Sequence, residues 1–184
     1  MFRIDCKRIY FVPFDETHLH NPSYLEWLSD YEVMKFIGRD EYFRPIRFER
    51  IQEYVENVWA NSFCSFFAIH LIDNNQFIGT LKLNYFNAEG VQARTADIGI
   101  MIGDKKYWGK GIATEAIYYI SHFSFNRLSI RKLTSGMNAA NIGMIKAFER
   151  VGFQVEGRIR KKLLLEGEYY DHLLMGCFNN ELIR

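Results

Sequence analysis

The sequence predicts a single domain of mixed α/β class, an α+β arrangement with helices on both faces of one mixed sheet. Its 184 residues are enough for one well-filled core and short for two. Hydrophobic residues make up 48% of the chain and charged residues 24%, a balance typical of an ordinary folded domain. The local patterns follow the order strand, two helices, three strands, helix, strand, helix, two strands. We therefore treat residues 1–184 as one domain.

The first third of the chain predicts one strand and two helices. Ile9–Pro13 is an apolar run typical of a strand. Asn21, Pro22 and Ser23 are a helix-start signature that leads into the helical pattern YLEWLSDYEVMKFI. A second helical pattern covers about residues 47–59, with its apolar positions on one side.

The remaining two thirds predict six more strands and two more helices. Residues 65–72 and 77–85 form a hairpin around the turn cluster at 73–75, and Thr95–Ile102 follows as a central strand. Residues 111–125 are an amphipathic helix, with Glu115, Tyr118 and Ser121 on its polar side. A strand at 133–137, a helix at 141–151 closed by Gly152, and a hairpin of 155–165 with 169–178 complete the chain. An antiparallel start that feeds a strand–helix–strand crossover predicts a mixed sheet.

Charge and composition exclude several classes of partner. Lys plus Arg number 23 and Asp plus Glu 22, so a net charge of +1 provides no general attraction to nucleic acid or to a membrane. Cys6, Cys64 and Cys177 are far apart and lack the spacing of a zinc site or a redox dithiol, so we expect buried thiols and no metal. The sequence has neither the pattern of a signal peptide nor an apolar run long enough to cross a bilayer, which predicts a cytoplasmic location. A homodimer is compatible with the sequence.

The stretch KKYWGKGIATEA, residues 105–116, places Gly109 and Gly111 just before a helical pattern. Glycines there lose much conformational entropy, so we expect a backbone shape or a close approach that other residues forbid. The first amides of a helix lack partners and attract phosphate. The stretch therefore predicts a diphosphate cradle made by the amides of Lys110, Gly111, Ile112 and Ala113, with the hydroxyl of Thr114.

Two familiar phosphate loops do not fit this stretch. The Gly-Lys-Ser/Thr ending of the P-loop is absent, and a dinucleotide fingerprint would need a third glycine where Thr114 stands. ATP hydrolysis and NAD binding are therefore not favoured. On the two glycines alone, a turn that only packs remains an equal alternative. Lys105, Lys106 and Lys110 would add positive charge at the rim of a cradle.

The neighbouring residues resemble the GNAT superfamily of acyl-coenzyme A dependent N-acetyltransferases. Its core motif, Arg/Gln-x-x-Gly-x-Gly/Ala, is matched by residues 106–111, with Lys106 in place of the usual Arg or Gln. The run of Asn138-Ala-Ala-Asn141, a helix, Gly152-Phe153, Glu156-Gly157-Arg158 and Tyr170-Asp171 is similar to the branch that acetylates ribosomal protein N-termini and amino sugars. The resemblance covers about residues 65–178.

The resemblance implies a splayed, mostly antiparallel sheet of seven strands that binds acetyl-CoA. Strands 95–102 and 133–137 would diverge to admit the pantetheine arm, which would pair with the backbone of Ile100, Met101 and Ile102 like an added strand. A bulge near Ile100 or Met101 would free an amide for the oxyanion. The implied coenzyme contacts further include Lys106, Gly109, Lys110, Gly111, Ile112, Ala113, Thr114, Asn138, Asn141 and Lys146.

The candidates for catalysis are Asp97, Asp171 and Tyr170. Asp97 stands where this branch often carries a Glu base, although it is equally compatible with a hydrogen-bond acceptor at a strand edge. Asp171 would orient the amine or cap a loop. Phe148 occupies the position at which many members carry a Tyr acid, and it has no proton to give. Water, no dedicated acid, or a tyrosine would protonate the thiolate, and the tyrosines considered are Tyr118, Tyr169 and Tyr170.

The acceptor is expected to be a primary amine of a small molecule, with an amino sugar favoured. A polyamine is an alternative, because Glu166, Glu168 and Asp171 cluster near the predicted hairpin tip. A protein N-terminus is another, and so is a coenzyme-binding module without catalysis. Strand alternation would place Arg158, Arg160 and Lys162 on one face, which would meet a sugar diphosphate or solvent. The acceptor pocket is expected among aromatic residues, namely Trp27, Tyr31, Phe36, Tyr42, Phe43 and Trp59.

Overall fold

The protein is built around one sheet with helices on both faces, as seen in a computed structural model that describes residues 2–37, 46–85 and 88–183. The strands are β1 (Ile4–Asp5), β2 (Ile9–Pro13), β3 (Cys64–Leu71), β4 (Phe77–Asn84), β5 (Thr95–Ile102), β6 (Lys132–Asn138), β7 (Gln154–Leu165) and β8 (Glu168–Phe178). The helices are α1 (Glu16–Leu19), α2 (Pro22–Ser29), α3 (Tyr31–Met34), α4 (Phe48–Ala60), α5 (Ala88–Gln92), α6 (Ile112–Arg127) and α7 (Ile142–Val151).

The strands lie in the order β1-β2-β3-β4-β5-β6-β8-β7. Neighbouring strands pair antiparallel except β5 and β6, which are parallel and are connected through α6. The predicted mixed, mostly antiparallel sheet is therefore confirmed. Among the described residues the sheet has eight strands, one more than predicted, because β1 has only two residues and shows no readable period.

Two apolar cores lie on opposite faces of the sheet, and β3 shows how the sequence separates them. Phe67 and Ile69 pack into the core shared with α6 and α7, whereas Phe66 and Ala68 pack into the core under α1–α4. This is the two-residue alternation of a strand buried on both faces. The sheet therefore carries a separate helical layer on each side.

The strands β5 and β6 separate part-way along their length. They pair only at Thr95 with Lys132, Ala96 with Leu133 and Asp97 with Thr134. The hydroxyl of Ser135 donates to the carbonyl of Ile98 at 2.9 Å, and beyond this bond the described residues show no ladder pairing between the two strands. The remainder of β5 therefore has an open edge toward β6, as the predicted splay requires.

Some local predictions were wrong for identifiable reasons. The helical pattern YLEWLSDYEVMKFI is divided into α2 and α3 at Asp30, whose backbone is extended and whose carboxylate accepts from the amide of Glu32 at 2.9 Å. Aspartate favours such a cap over a helix interior. Ser121, predicted on the polar side of α6, is fully buried, since α6 packs against both β5 and α7. The short helix α5 was not predicted.

Candidate active site

A continuous cavity of about 1310 Å³ extends from the opening between β5 and β6 to the helices α2–α4. We call the part formed by β5, β6, α6 and α7 the gap half; it is lined by Ile98–Ile102, Tyr107–Gly109, Gly111–Thr114, Ser135–Met137, Asn141, Gly143, Met144, Lys146–Phe148 and Arg150. We call the remainder the helical half; it is lined by Tyr24, Leu28, Glu32–Ile37, Ile46, Arg47, Arg50, Ile51, Tyr54, Phe66, Thr80 and Lys82.

The helix α6 begins at the gap half with its first amides uncapped. Gly109 and Gly111 have φ angles of +70° and +75°, a left-handed conformation that is strained for residues with a side chain. Gly111 is the N-cap residue and provides no side-chain hydrogen bond to the first turn. The amides of Ile112, Ala113 and Thr114 therefore start the helix beside the cavity with no capping side chain. This arrangement fits a bound diphosphate.

An ion pair that sequence reasoning missed supports this loop from outside. The Arg8 guanidinium donates through Nε to Glu115 Oε2 at 2.7 Å and through Nη1 to the carbonyl of Lys110 at 2.9 Å. The Arg8 amide also donates to Glu115 Oε1 at 2.6 Å. The contact joins residues more than a hundred positions apart, so no local pattern indicates it.

The open edge of β5 presents its backbone to the gap at alternate residues. The carbonyl of Ile98 faces β6, because it accepts from Ser135. The two-residue period of a strand gives Ile100 the same direction, whereas Met101 faces β4 opposite Thr80. The carbonyl of Ile102 accepts from Trp108 Nε1 at 2.7 Å. The predicted bulge was wrong, because the β4–β5 register is continuous; separation from β6 is what leaves the Ile100 amide open.

Asp97 is the last residue of β5 that pairs with β6, and it comes immediately before the lining residue Ile98. Burial raises the pKa of its carboxyl from 3.8 to about 6. A hydrogen bond from Thr134 Oγ1 at 3.0 Å and the positive charge of Lys82 act in the opposite direction on this pKa. A carboxylate with a pKa near 6 is ionised at neutral pH and remains basic enough to accept a proton. Asp97 itself is not among the residues that line the cavity.

Lys82 is a second residue that the sequence analysis missed. It lies on β4 opposite Gly99, lines the helical half, and donates from Nζ to the hydroxyl of Tyr54 at 2.5 Å. The ammonium also lies 5.1 Å from the centre of the Tyr54 ring. A lysine within an alternating strand has no distinctive sequence signal. Its importance here comes from the helix α4, which brings Tyr54 over it.

The other predicted coenzyme residues divide into two groups. Asn141 and Lys146 line the gap half, and Asn141 also caps α7 by accepting from the amide of Met144 at 3.3 Å. The remaining three, Asn138, Lys106 and Lys110, do not line the cavity. Asn138 accepts from the amide of Ala140, the Lys106 amide donates to Asp104, and the exposed Lys110 accepts from Arg8.

Asp171 and Tyr170 lie on the β7–β8 hairpin and do not line the cavity. The Asp171 carboxylate accepts from the Lys161 amide at 2.9 Å and from Arg158 Nη1 at 2.8 Å, and these two bonds lower its pKa. Between Ile159 and Leu163 the register shifts, and Lys161 has a φ of +50°. The irregularity interrupts the alternation that was expected to place Arg158, Arg160 and Lys162 on one face. The Asp171 side chain therefore stabilises the irregular segment of β7 through these two hydrogen bonds.

The position of the usual general acid lies at the cavity, but it is occupied by a residue without a proton to donate. Phe148 lines the gap half and packs edge-on against Phe153 with ring centres 4.8 Å apart. The tyrosines considered from sequence do not line the cavity, namely Tyr118, Tyr169 and Tyr170. Tyr107 does line it, and its hydroxyl donates to Gln76 Oε1 at 3.0 Å.

Of the aromatic residues expected around the acceptor, Phe36 lines the helical half. Trp27 is buried in the core beneath it, and Trp59 donates from its indole to the carbonyl of Phe14 at 3.0 Å. Tyr31 donates its hydroxyl to Glu166 at 2.8 Å, so the hairpin tip contacts α3. Tyr42 and Phe43 lie outside the described residues. Of the four expected residues that the structure describes, one lines the helical half, whereas Tyr24, Tyr54 and Phe66 line it without having been expected.

Comparison with known proteins identifies the family. The profile of the acetyltransferase (GNAT) domain matches residues 8–154. Over 176 residues the chain is 30% identical to YjcK of Bacillus subtilis strain 168, described as a probable N-acetyltransferase, covering 94% of this chain and 95% of that one. The chain belongs to the GNAT family. This GNAT protein is thus an acetyl-CoA dependent N-acetyltransferase, and the predicted resemblance is confirmed.

Solved structures of GNAT proteins share the fold. Spermidine N-acetyltransferase from Vibrio cholerae, in complex with CoA and spermine, superposes with a TM-score of 0.82 at 19% identity, covering 95% of this chain and 97% of that chain. Mycobacterium smegmatis RimJ, in complex with CoA-disulfide, gives a TM-score of 0.81 at 19% identity, covering 100% and 90%. At such identities the likeness establishes a common architecture and leaves the acceptor open.

Three further observations concern the environment of the protein. Cys6, Cys64 and Cys177 are free thiols. Within the described ranges, no group of three or more His, Cys, Asp or Glu side chains is placed to hold a metal ion. In the same part of the chain, none of the helices combines the length and the apolar character needed to span a bilayer.

Proposed function

We propose that this GNAT protein transfers the acetyl group of acetyl-CoA to the primary amine of a small molecule, such as an amino sugar. Transfer would occur by direct attack in a ternary complex in the cytoplasm. The observation that carries the proposal is the continuity of the cavity, which joins the uncapped start of α6 to the helical half beyond β5. The two substrates would therefore enter from opposite sides of the sheet and meet beside Ile100.

The gap half would hold the coenzyme mainly through backbone groups. The amides of Ile112, Ala113 and Thr114 would bind the diphosphate, with Gly109 and Gly111 providing the left-handed turn. The open edge of β5 would pair with the pantetheine arm at Ile100. Asn141 would add its side-chain amide at the far wall, and Lys146 would meet a phosphate at the rim.

In the chemical step, bound acetyl-CoA supplies a thioester that is activated toward an amine. The amide of Ile100 would donate to the acyl oxygen, where negative charge develops during attack. Asp97 would accept a proton from the amine through a water molecule, since its side chain lies behind the lining rather than on it. Its pKa of about 6 keeps it ionised at neutral pH. A thiol with a pKa of ~8.5 leaves as a thiolate that water can protonate.

The proposal is tested by measuring thiol release from acetyl-CoA over a panel of amines. The panel comprises amino sugars, polyamines and peptides with free N-termini, with spontaneous hydrolysis subtracted. Acetylation of an amino sugar, identified by the mass of its product, is the expected result. Turnover limited to peptides, or limited to polyamines, would show that the acceptor belongs to that class and is not an amino sugar. Tight acetyl-CoA binding with no turnover on any amine would instead identify a coenzyme-binding module.

A further inference from the structure

We infer that the acceptor carries an anionic group, a phosphate or a carboxylate, in addition to its primary amine. Arg47 and Arg50 in the helical half would bind that group, and Lys82 would add positive charge further inside the cavity. The inference rests on the proposed function and specifies its class of substrate. It is carried by the charges that line the cavity, by the uncapped start of α4, and by the pairing of the other charges nearby.

The charged lining of the helical half has an excess of positive side chains. Its described members are Glu32, Lys35, Arg47, Arg50 and Lys82. The carboxylate of Glu32 is paired with Lys35 Nζ at 2.7 Å, so these two charges offset each other. No described carboxylate lies within ion-pair distance of Arg47 or Arg50. Even with the half-buried Asp97 behind the lining counted, positive charges exceed negative ones in this part of the cavity.

The two arginines lie where α4 begins, and the helix end strengthens their preference for an anion. Arg47 is the N-cap residue and Arg50 lies in the first turn. Arg47 makes no side-chain capping bond, so the first amides of this 13-residue helix have no side-chain cap. Both arginines are exposed, which leaves their guanidinium groups available for bidentate contacts with phosphate or carboxylate. Glu49 in the same turn offsets part of the positive helix end but does not line the cavity, so an anion on the cavity side would face the two guanidinium groups.

Lys82 extends the positive region inward, toward Asp97. Its ammonium is held by the hydroxyl of Tyr54, and the side chain is half-buried. An acceptor with its anionic group toward the arginines would therefore project its amine past Lys82 to the base. Residues 38–45 are outside the described ranges, but they contain two arginines, one aspartate and one glutamate, so their formal charges cancel.

The same charges disfavour a polyamine. A polycation in the helical half would meet unpaired positive side chains, which repel it. The carboxylates that suggested a polyamine from sequence do not line the cavity. Glu166 accepts from Tyr31, and Asp171 accepts from Arg158 and Lys161. The choice of acceptor in this protein would therefore differ from that of the spermidine N-acetyltransferase whose fold it shares.

The experiment compares acceptors that differ by one charged group. Glucosamine is paired with glucosamine 6-phosphate, and 4-aminobutyramide with 4-aminobutyrate; spermidine is the polycation. We expect kcat/KM to be at least ~10-fold higher for the anionic member of one pair, with the preference shrinking in high salt because surface charges are screened. The pair with the larger preference identifies phosphate or carboxylate as the recognised group. Equal or better turnover of the neutral members and of spermidine overturns the inference.

Binding measurements separate failure of the inference from failure of the proposed function. Calorimetric titration of each probe into the protein with CoA present needs no turnover. If no amine is acetylated but the phosphate compound binds at least ~10-fold more tightly than glucosamine, the proposed function fails and the anion site stands. If amines are acetylated without any preference for an anionic member, the proposed function stands and the inference fails.

Charge variants provide the residue-level test. Arg50→Gln should lower kcat/KM for glucosamine 6-phosphate about tenfold, and Arg50→Glu should lower it further and raise the relative rate with spermidine. Arg160→Gln is the matched control, because Arg160 is also exposed and does not line the cavity. An unchanged phosphate preference in Arg50→Glu, with the control also unchanged, contradicts the assignment.

Discussion

The two halves of the cavity are lined by different parts of the chain. The gap half offers mainly backbone, namely the first amides of α6 and the open edge of β5. The helical half offers mainly side chains, brought together from α3, α4 and β4. A backbone site depends on torsion angles and strand separation, so it tolerates wide sequence change. A side-chain site changes with each substitution, so one fold can serve many acceptors.

Asp97→Asn has the largest expected effect and separates catalysis from coenzyme binding. Loss of a general base typically reduces rates ~100- to 10,000-fold, so we expect kcat/KM to fall about a thousandfold while acetyl-CoA affinity stays the same. The wild-type profile of kcat/KM should also lose activity as the pH falls below about 6, where Asp97 becomes protonated. Steady-state kinetics measures kcat/KM, and calorimetry measures the affinity for acetyl-CoA.

A stability measurement shows whether the Asp97→Asn protein loses activity because it unfolds. The folded pKa of Asp97 is raised above its unfolded value, so its ionisation destabilises the fold as the pH rises from 3.8 through about 6. Asp97→Asn removes that buried charge and should not lower the free energy of unfolding at neutral pH. Full activity in a folded Asp97→Asn protein would exclude Asp97 as the base.

Gly111→Asp should weaken coenzyme binding in the gap half without altering the residues that line the helical half. A side chain at φ +75° is strained, and a carboxylate beside the first amides of α6 would repel a phosphate. We expect acetyl-CoA affinity to fall about a hundredfold, or about 3 kcal/mol. Gly167→Asp is the control, because Gly167 has a φ of +83° at the hairpin tip, away from the cavity. Equal losses of affinity in both variants would show that backbone strain alone is responsible.

Thr134→Val should produce a smaller effect that is visible only as a change with pH. The Thr134 hydroxyl donates to Asp97 at 3.0 Å and lowers the pKa of that carboxyl. Valine has a similar shape but no donor, so the pKa should rise further. The acidic limb of kcat/KM should then move to higher pH, with a few-fold loss near pH 6.5 and little change at pH 8. A limb that does not move would mean that a different group controls it.

Asp171→Asn should have the smallest kinetic effect and tests whether the β7–β8 hairpin belongs to the site. Asp171 holds the irregular segment around Lys161 and does not line the cavity. We expect a lower thermal midpoint with kcat/KM and acetyl-CoA affinity unchanged. A large fall in kcat/KM without a fall in stability would restore the role in orienting the amine that the sequence suggested.

The elements around the gap half could be predicted because their signals are local. Gly109 and Gly111 mark a left-handed turn, Asn141 marks a helix start, and Gly152 marks a helix end with a φ of +107°. The strand boundaries Ile9–Pro13 and Thr95–Ile102 are those of the structure. Each of these features depends on the chemistry of one or two neighbouring residues.

The helical half could not be predicted because its contacts join distant segments. Lys82 matters only because α4 brings Tyr54 to it. The same limit applies to the outer support of the gap half, where Arg8 matters only because it reaches Glu115. Asp171 was assigned to the pocket from its place in a motif, whereas its partners depend on a register shift in the hairpin. Aromatic residues such as Trp27 serve the core, which composition cannot distinguish from a pocket wall.

The most direct test of the account is a crystal structure of the protein with bound CoA. It should place the diphosphate within hydrogen-bonding distance, about 3 Å, of the amides of Ile112, Ala113 and Thr114. The pantetheine arm should lie against Ile100 in the opening between β5 and β6, with the sulfur directed toward the helical half. A coenzyme bound elsewhere, or strands β5 and β6 paired along their full length, would contradict it.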